Sequence, residues 1–584
     1  MATKRGIQYI PAIDGLRAIA VIAVMLYHLG ISWIPGGFLG VDLFFVISGY
    51  VITRLLLDSI QERGGLDLRN FYKARIRRLL PPLVFMLITT SIMVGIWAPD
   101  TARKFVTDAP FSIVGAMNWW LVFNEQDYFQ SSGRPPLLQH TWSLAVEAQF
   151  YLIWPLILLV VLKYLGRKRI PIAALMIAAI SGITLMLVSF QIDSSNSANV
   201  SHVYFGTDTH SIGLFLGAAL AVSWIPQNFN LQVSRRAQDF IDGIGIFGFI
   251  GMLATFLLIN ESQPTLYKIA FPLAGLFGTA ILISIVHPAS RFAPLLRNPI
   301  LLWIGERSYA IYLWHWVIFQ ISRPQIDLAG EDWALFSLRI LLVFAMADIS
   351  LRFVELPFRS GSVAFWFKGL KYREARIRRR QKITVASIAS ITLLISSVVS
   401  ISAIVDTDNK NRELAQSLQD AAQPIVQEPS DPDSPGLWVT GDSVILGIRH
   451  EIEENHPIAL MNARVGRQAP ELLEVIKKDG LLVMRSTIVF NLGNNNALTR
   501  EQIISILEAV KEAPKRIIIN SAVPRPWREG NNALIAEIAA DYPDTYVVPW
   551  DQISAGHPEY FAPDGVHLVV TGVKAYVGAI ESYL

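Results

Sequence analysis

The chain has 584 residues, of which 52% are hydrophobic and 17% are charged, and this composition excludes a single soluble globular domain. The formal net charge of +3 carries little information, because in a membrane protein the distribution of Lys and Arg over the loops matters more. The absence of cysteine excludes disulfides, thiolate metal sites and a cysteine nucleophile. Membrane lipid is an expected partner, and neither a metal nor a nucleic acid is expected.

Eleven apolar runs predict membrane-spanning helices, since a helix needs about 20 mostly apolar residues to cross a bilayer. They lie near residues 11–30, 41–57, 80–98, 141–163, 171–190, 210–225, 241–259, 267–287, 300–319, 335–354 and 383–404. A shorter run at 110–123 is interpreted as an interfacial or re-entrant piece. With a cytoplasmic N-terminus, the most basic loops, such as 58–79 and 355–382, all fall on the cytoplasmic side. An odd number of spans then places everything after residue 404 outside the cytoplasm.

The polar segment 405–436 contains QEPSDPDSPG and predicts a flexible tether. Beyond it, predicted strands and helices alternate. The strands are expected at 437–440, 458–465, 486–492, 516–522 and 546–550, and the helices near 468–478, 499–513, 530–541 and 571–583. This alternation predicts a three-layer α/β domain with a mostly parallel sheet, which binds ligands at the carboxyl ends of its strands.

Chemically suggestive residues follow the strands of this predicted sheet. A serine nucleophile needs a base, the base needs an orienting group, and the developing oxyanion needs hydrogen-bond donors. Ser443 in Gly-Asp-Ser, with His567 and Asp564 in Asp-Gly-Val-His, supplies the first three. The backbone of Ser443, Gly466 and the amide of Asn495 supply the donors. The alternative is that each block is an ordinary turn, which four blocks at strand ends disfavour.

These blocks resemble those of the SGNH (GDS-type) hydrolase superfamily, and the resemblance covers the whole C-terminal domain. The four letters fall on Ser443, Gly466, Asn495 and His567, with Asp564 three residues before the histidine. The superfamily often has Asp where Asn496 stands here. That difference leaves any helper role at position 496 without support, but it does not affect Asn495.

The first span carries more ionisable residues than an anchor needs, and such residues are costly in a bilayer. Arg17 and His28 are eleven residues apart, so they share one helix face and lie about 16 Å apart along the axis. Asp14 lies on the same side. The alternatives are a packing role for the histidine and snorkelling for the arginine.

Two later spans repeat this arrangement. His140 and Glu147 are seven residues apart in HTWSLAVEAQFYLIWP, and Ser308 and His315 are seven apart in ERSYAIYLWHWVIF. We expect His28, Glu147 and His315 to converge in a cavity in the outer half of the membrane.

Residues 8–360 resemble the acyltransferase type 3 family of ten-helix membrane proteins. The resemblance rests on DGLRAIAVIAVMLYH, GGFLGVDLFFVISGYVIT, KARIRRLLP, HTWSLAVEAQFYLIWP and SYAIYLWHWVIF. Where family members commonly have Glu-Glu-Gln, this chain has Glu-Ala-Gln, so only Glu147 is carried over. The resemblance implies catalytic roles for Arg17, His28, His315 and Glu147.

The same resemblance implies acetyl-CoA as the acyl donor. Arg75, Arg77 and Arg78 lie on the predicted cytoplasmic face, where guanidinium groups suit the phosphates of CoA. The alternative is that these arginines only anchor the topology.

The predicted architecture is a polytopic α-helical membrane domain, with ten acyltransferase helices and one linking span, followed by an extracytoplasmic three-layer α/β SGNH domain. The predicted borders are 1–360 for the acyltransferase domain, 361–404 for a basic cytoplasmic loop and the eleventh span, 405–436 for the linker, and 437–584 for the SGNH domain.

This combination resembles the bacterial peptidoglycan O-acetyltransferases. It implies transfer of acetyl across the membrane to Ser443 and then to an envelope glycan, at the C6 hydroxyl of N-acetylmuramic acid. Three alternatives stay open: O-acylation of another envelope polysaccharide, a membrane-anchored esterase, and a transporter of acylated precursors.

Overall fold

The computed structural model describes residues 9–124, 134–190, 197–230, 232–260, 266–324, 327–328, 333–422, 436–480, 485–525, 527–562 and 564–584. The chain forms two compact units. The first is helical and extends to residue 400, and the second contains the residues from 401 onward together with residues 132–134 and 322–336.

The helices up to residue 422 differ widely in length, from 4 to 48 residues. In chain order α1 to α17 are Pro11–His28, Gly40–Arg63, Leu68–Trp97, Ala102–Val114, Met117–Phe123, Trp142–Tyr164, Ile170–Phe190, Ser197–Phe205, Thr207–His210, Ile212–Ser223, Arg235–Leu258, Phe271–Val286, Pro299–Ile321, Trp333–Ile349, Leu356–Arg359, Ser362–Gly369 and Ala375–Ala422.

Nine helical segments among the described residues are long and apolar enough to cross a membrane. They match nine of the eleven predicted spans. The predicted span 210–225 lies on α10, which has 12 residues, and the predicted span 300–319 lies on α13, whose 23 residues include Glu306 and Arg307. The chain is a polytopic helical membrane protein, and the number eleven stays a prediction.

The segment 110–123, interpreted as interfacial or re-entrant, lies in two helices. These are α4 with 13 residues and α5 with 7 residues, and Gly115 between them has a positive φ of 71° that ends α4. Each is shorter than the roughly 20 residues that a crossing needs.

The prediction of an irregular tether is wrong for residues 405–422. Helix α17 continues without a break from Ala375 to Ala422. Its last part, VDTDNKNRELAQSLQDAA, contains neither Gly nor Pro, and from Arg412 onward it consists mostly of Arg, Glu, Leu, Ala and Gln, which favour helix. Its polarity is that of a helix outside an apolar environment, and polarity alone does not distinguish such a helix from a loop. The rest of the predicted tether, up to 435, lies outside the described residues.

Helices α1 and α13 pack closely because small residues lie at their contact. A Cβ on Gly305 of α13 would lie 1.9 Å from the carbonyl oxygen of Asp14 on α1. Such close approach of backbones is typical of membrane helix pairs with glycine at the interface. It brings the faces of α1 and α13 that carry the predicted intramembrane residues against each other.

One helix of this unit contains a local change of pitch. Between α14 and α15, residues Ser350–Glu355 form a π-helical segment. A π turn has one residue more than an α turn, so it rotates everything that follows relative to a regular helix. Glu355, at its end, is buried, and Arg359 at the end of α15 is exposed.

A five-stranded parallel sheet forms the centre of the second unit, in the order β2-β1-β3-β4-β5. The strands are β1 Leu437–Gly441, β2 Ile458–Ala463, β3 Thr487–Asn491, β4 Lys515–Ile519 and β5 Thr545–Val548. All five lie where the sequence predicts them. β1 lies between β2 and β3 and is fully buried, which suits its mostly apolar sequence LWVT.

Helices cover both faces of this sheet. In chain order α18 to α24 are Ser443–Gly447, Arg449–Asn455, Ala469–Lys478, Arg500–Ala509, Arg528–Ala539, Trp550–Ile553 and Val570–Glu581. Ile488 and Phe490 of β3 pack in one hydrophobic core with α20, α21 and α22. Val489 of the same strand packs in the other core with α18, α19 and α24. The predicted three-layer α/β domain is confirmed.

Candidate active site

Ser443 lies just after the carboxyl end of the interior strand β1, at the start of α18. A Cβ at Gly441 would lie 2.1 Å from Asn491 Oδ1, so only glycine allows this close approach. Asp442 caps the helix, since its Oδ1 accepts a hydrogen bond from Val444 N at 2.9 Å. The turn therefore presents Ser443 at the edge of the sheet.

The structure joins Ser443, His567 and Asp564 by hydrogen bonds. His567 Nε2 lies 2.9 Å from Ser443 Oγ, and His567 Nδ1 lies 2.6 Å from Asp564 Oδ2. Nδ1 donates its proton to the carboxylate, which leaves Nε2 free to accept the serine proton. The other oxygen of Asp564 accepts the backbone N–H groups of Val566 and His567, and this fixes the carboxylate. The arrangement suits a nucleophile, a base and an orienting group.

Charges within this triad shift two pKa values in opposite directions. The hydrogen bond to Asp564 and its negative charge raise the pKa of His567 above its usual value. Burial favours a higher pKa for Asp564, but its hydrogen bonds and the charge of His567 outweigh burial and lower that pKa. His567 is thus the stronger base that proton abstraction from a serine requires.

The candidate oxyanion donors lie on two loops beside Ser443. Gly466 lies in an exposed turn with a φ of 73°, and this turn is tied to β1 because Arg464 N donates to Gly441 O at 3.1 Å. Asn495 Nδ2 donates to Asp442 Oδ2 at 3.0 Å and to Arg467 O at 3.2 Å. The Asn495 amide is therefore held next to the nucleophile turn.

Asn531 on α22 holds the Asn495 loop and was missed in the sequence. Its Nδ2 donates to Gly493 O and Asn496 O, at 3.1 and 2.9 Å, and its Oδ1 accepts from Leu498 N at 2.8 Å. The side chain is 2% exposed. It lies 36 residues beyond Asn495, and no spacing rule connects the two positions. Asn491 donates to Asp442 Oδ1 at 2.8 Å. As a polar residue at the end of a buried strand, it could have been recognised in the sequence as a candidate site residue.

The first unit contains a buried histidine pair. His28 Nδ1 on α1 lies 3.0 Å from His315 Nε2 on α13. His315 is fully buried, and its Nδ1 lies 2.8 Å from the carbonyl oxygen of Tyr312, which makes Nδ1 a donor and Nε2 an acceptor. The ring of His140 lies 6.0 Å from that of His315. The expected meeting of His28 and His315 is therefore present.

The expected position of Glu147 beside these histidines is wrong. Its carboxylate accepts hydrogen bonds from Ser48 Oγ at 2.6 Å and from Tyr151 at 2.8 Å, and no described contact joins it to His28 or His315. Glu147 lies two helical turns beyond His140, a rise of about 10 Å, which moves it away from the histidine level.

Glu147 instead faces a cavity of about 690 Å³, here called the central cavity. Arg17, Arg75 and Arg78 also line it. Arg17 Nη1 lies 3.2 Å from Asp14 Oδ1 across three residues of α1, as its position on that helix predicts. Arg77 does not line the central cavity; it lines a neighbouring cavity with Arg75 and Arg78.

Tyr312 connects the central cavity with the histidine pair and was not singled out in the sequence. It lines the cavity, its ring lies 5.4 Å from that of His315, and its hydroxyl lies 2.6 Å from Ser143 Oγ. Tyr312 precedes His315 by three residues, so helical spacing could have indicated it. Among the described residues, no group of three or more His, Asp or Glu could hold a metal ion.

Comparison with known proteins agrees with this combination of a membrane helix bundle and a serine-containing α/β domain. The sequence profile described as "Acyltransferase domain" matches residues 10–351, more than half of the chain. The protein is a membrane O-acyltransferase. The chain belongs to the acyltransferase type 3 family.

Its relatives extend over the whole chain. It is 33% identical to the peptidoglycan O-acetyltransferase OatA of Listeria monocytogenes, over 100% of this chain and 99% of that protein. It is 34% identical to the O-acetyltransferase OatA of Staphylococcus aureus, over 98% of this chain and 96% of that protein. A GDSL-like lipase from Bacteroides thetaiotaomicron covers 29% of this chain and 95% of its own at 19% identity, with a TM-score of 0.22 that supports no conclusion.

Proposed function

We propose that this protein transfers acetyl groups from cytoplasmic acetyl-CoA to an extracytoplasmic cell-envelope glycan, and that the acceptor is N-acetylmuramic acid of peptidoglycan. The hydrogen-bonded series Asp564–His567–Ser443 carries the proposal, because it supplies a serine nucleophile on a chain that belongs to a membrane acyltransferase family. The full-length similarity to a protein named peptidoglycan O-acetyltransferase supports the choice of acceptor.

In the proposed membrane step, the CoA phosphates bind at Arg75, Arg77 and Arg78. The thioester arm enters the central cavity, where Arg17 and Glu147 contact it. His315, with its tautomer fixed by a backbone carbonyl and its Nε2 facing His28, takes the proton of the group that attacks the thioester. The C–S bond of the thioester breaks as an acetyl ester forms on the attacking hydroxyl, His315 passes the proton to the sulfur so that CoA leaves as its thiol, and this ester carries the acetyl group outward.

In the proposed outer step, Ser443 Oγ attacks the acetyl carbonyl and its proton moves to His567 Nε2. The oxyanion is stabilised by the backbone N–H groups of Ser443 and Gly466, and by the Asn495 amide after one of its two hydrogen bonds, to Asp442 Oδ2 or to Arg467 O, is released to it. The group that brought the acetyl leaves with the proton from His567. A sugar hydroxyl then attacks the acetyl-serine, His567 takes the new proton, and free serine returns with the sugar acetate formed.

This direction requires a cytoplasmic N-terminus, an extracytoplasmic C-terminal domain from residue 437, and eleven spans. The basic first turns of α17, with Arg378, Arg379 and Arg380, support that orientation, since the cytoplasmic ends of membrane spans are enriched in Lys and Arg. A reporter fused after Leu584 and active only in the cytoplasm should give no signal. A strong signal would contradict the transfer across the membrane.

The activity is tested by mass spectrometry of envelope glycans from cells with and without the protein, supplied with isotope-labelled acetate. We expect labelled O-acetyl groups on muramic acid only in cells that carry it. The triad geometry is also compatible with a membrane-anchored esterase. In that case cells carrying Ser443→Ala would show more O-acetylation than the wild type, and the direction proposed here would be wrong.

A further inference from the structure

A second cavity, here called the basic cavity, adjoins the central cavity and has a different charge. It encloses about 490 Å³, and its lining includes Lys73, Arg75, Arg77, Arg78 and Arg359. The other described residues that line it are uncharged. Five cations around one cavity, with no carboxylate among its described lining residues, are typical of a site for a polyanion.

The central cavity differs because carboxylates lie among its cations. Asp14, Asp58, Glu147 and Glu306 all line it. The carboxylate nearest to Arg359 is that of Glu355, 3.6 Å from its Nη1, and Glu355 does not line the basic cavity. The net positive charge is thus concentrated in the smaller cavity.

The cations of the basic cavity fall into two groups. Arg75, Arg78 and Arg359 line both cavities and so mark their junction, whereas Lys73 and Arg77 line the basic cavity alone. The buried Nε of Arg75 has no hydrogen-bond partner among the described residues. A buried donor without an acceptor is costly, and a bound anion at the junction would satisfy it.

Coenzyme A has the same division of charge along its length. One end carries a 3′-phosphate on the ribose, a diphosphate follows, and the pantetheine arm that ends in the thioester is uncharged. This division of charge matches a basic cavity that shares Arg75, Arg78 and Arg359 with a neighbouring cavity of mixed polar and apolar lining.

We propose that the basic cavity binds the 3′-phosphoadenosine end of the acyl-CoA. Lys73 and Arg77 contact the 3′-phosphate, and Arg75, Arg78 and Arg359 hold the diphosphate at the junction. The pantetheine arm then lies in the central cavity. This assignment rests on the proposed function, since it takes an acyl-CoA as the donor. It adds Lys73 and Arg359 to the donor site and makes the 3′-phosphate a determinant of donor specificity.

The test compares binding of acetyl-CoA and of acetyl-3′-dephospho-CoA to the full-length protein in lipid nanodiscs at low salt. The wild type should bind acetyl-CoA at least about tenfold more tightly, because charge-assisted contacts to the 3′-phosphate are lost with the other ligand. Lys73→Gln and Arg77→Gln should reduce this preference to about threefold or less while leaving the affinity for the dephospho ligand nearly unchanged.

Two further variants separate the phosphate contacts from general charge effects. Arg359→Gln should weaken both ligands by a similar factor and so keep the preference, because the diphosphate is common to both. Arg69→Gln removes a cation from the same end of α3, from an exposed residue that does not line either cavity, and should keep the wild-type affinities. If Arg69→Gln lost the preference for acetyl-CoA as strongly as Lys73→Gln and Arg77→Gln, the preference would depend only on net charge. That result would overturn the assignment.

The outcomes distinguish this inference from the proposed function. If the wild type binds both ligands equally tightly, acyl-CoA remains the donor and the role of the basic cavity is wrong. If it binds neither ligand while the glycans of its cells are still acetylated, the donor named in the proposed function is wrong.

Discussion

Each of the two candidate sites contains an imidazole whose Nδ1 is held by a hydrogen bond, but the group that accepts this hydrogen bond differs. In the α/β domain, His567 Nδ1 donates to the carboxylate of Asp564 at 2.6 Å. In the membrane domain, His315 Nδ1 donates to the backbone carbonyl of Tyr312 at 2.8 Å, and its Nε2 faces a second histidine, His28. Both partners fix the tautomer, and only the carboxylate adds a negative charge that stabilises the imidazolium.

This difference fits the media in which the two rings lie. His567 is partly exposed, and an ionised carboxylate beside it can be solvated at its edge. His315 is fully buried in a helix bundle, where an extra carboxylate would carry a high desolvation cost. A histidine can therefore be held in a reactive tautomer in the membrane by the helix backbone alone. The two sites should also be separable by mutation.

The largest expected effect is that of Ser443→Ala. Removing the nucleophile should lower hydrolysis of a soluble activated ester by the purified protein by at least about 10³-fold, since serine nucleophiles act as a unit with their base. Envelope glycans should also remain unacetylated. Spectrophotometric ester hydrolysis and glycan mass spectrometry measure the two effects. Ser582→Ala, on the surface of the same domain, should behave like the wild type.

His28→Ala and His315→Ala should separate the two sites. Each should lower glycan acetylation in cells by about 10²-fold or more, in the range that loss of a general base produces. Ester hydrolysis at Ser443 should stay within about twofold of the wild type. Normal acetylation by a well-expressed His28→Ala protein would remove His28 from the transfer step. Equal loss of both activities would mean that the two units do not act independently.

The carboxylate of Asp564 should affect the pH dependence of ester hydrolysis by the α/β domain. The pKa of His567 is raised by Asp564, so ester hydrolysis should increase with pH through a value above the usual histidine range, as the ring loses its proton. Asp564→Asn removes the charge that stabilises the imidazolium, so the rate should fall by about 10²-fold and its acidic limb should move to lower pH. Asp541→Asn, an exposed position, should leave the profile unchanged. An unmoved midpoint in Asp564→Asn would contradict this account.

The smallest effect is expected at Asn531. Asn531→Asp keeps the acceptor for Leu498 N but replaces the amide donor by an oxygen that faces Gly493 O and Asn496 O. The Asn495 loop should shift, and kcat for the ester should fall about tenfold with little change in KM, because one oxyanion donor is worth about 10²–10³ when lost completely. The pH midpoint should not move. A change in KM alone would assign Asn531 to substrate binding. Asn455→Asp on the surface is the control.

The strands and the catalytic blocks could be predicted because parallel strands bring their carboxyl ends to one edge of the sheet. Residues that directly follow each strand in the sequence therefore lie close together at that edge. Asp564 and His567 are also only three residues apart. The membrane site is assembled from several helices, and each extra turn changes the level of a side chain by about 5.4 Å. Spacing alone therefore predicted the His28–His315 contact but misplaced Glu147.

Asn531 and the continuation of α17 show two further limits. The contacts of Asn531 are to backbone atoms of a loop, and a pattern of side chains contains no information about them. In α17 the polarity of residues 405–422 predicts a linker, although most residues from Arg412 onward favour helix. Polarity reports on solvent exposure, and it does not distinguish a loop from a solvated helix.

The π-helical segment Ser350–Glu355 makes the lining of the central and basic cavities sensitive to the length of the chain at this point. One additional residue in a turn rotates the following residues by about 100°. Deleting a single residue from this segment would restore the regular repeat and turn Arg359 away from the two cavities that it lines. A relative with one residue fewer at this point would therefore keep the arginine in its sequence but no longer place it in the two cavities. A gap of one position in an alignment would identify such relatives.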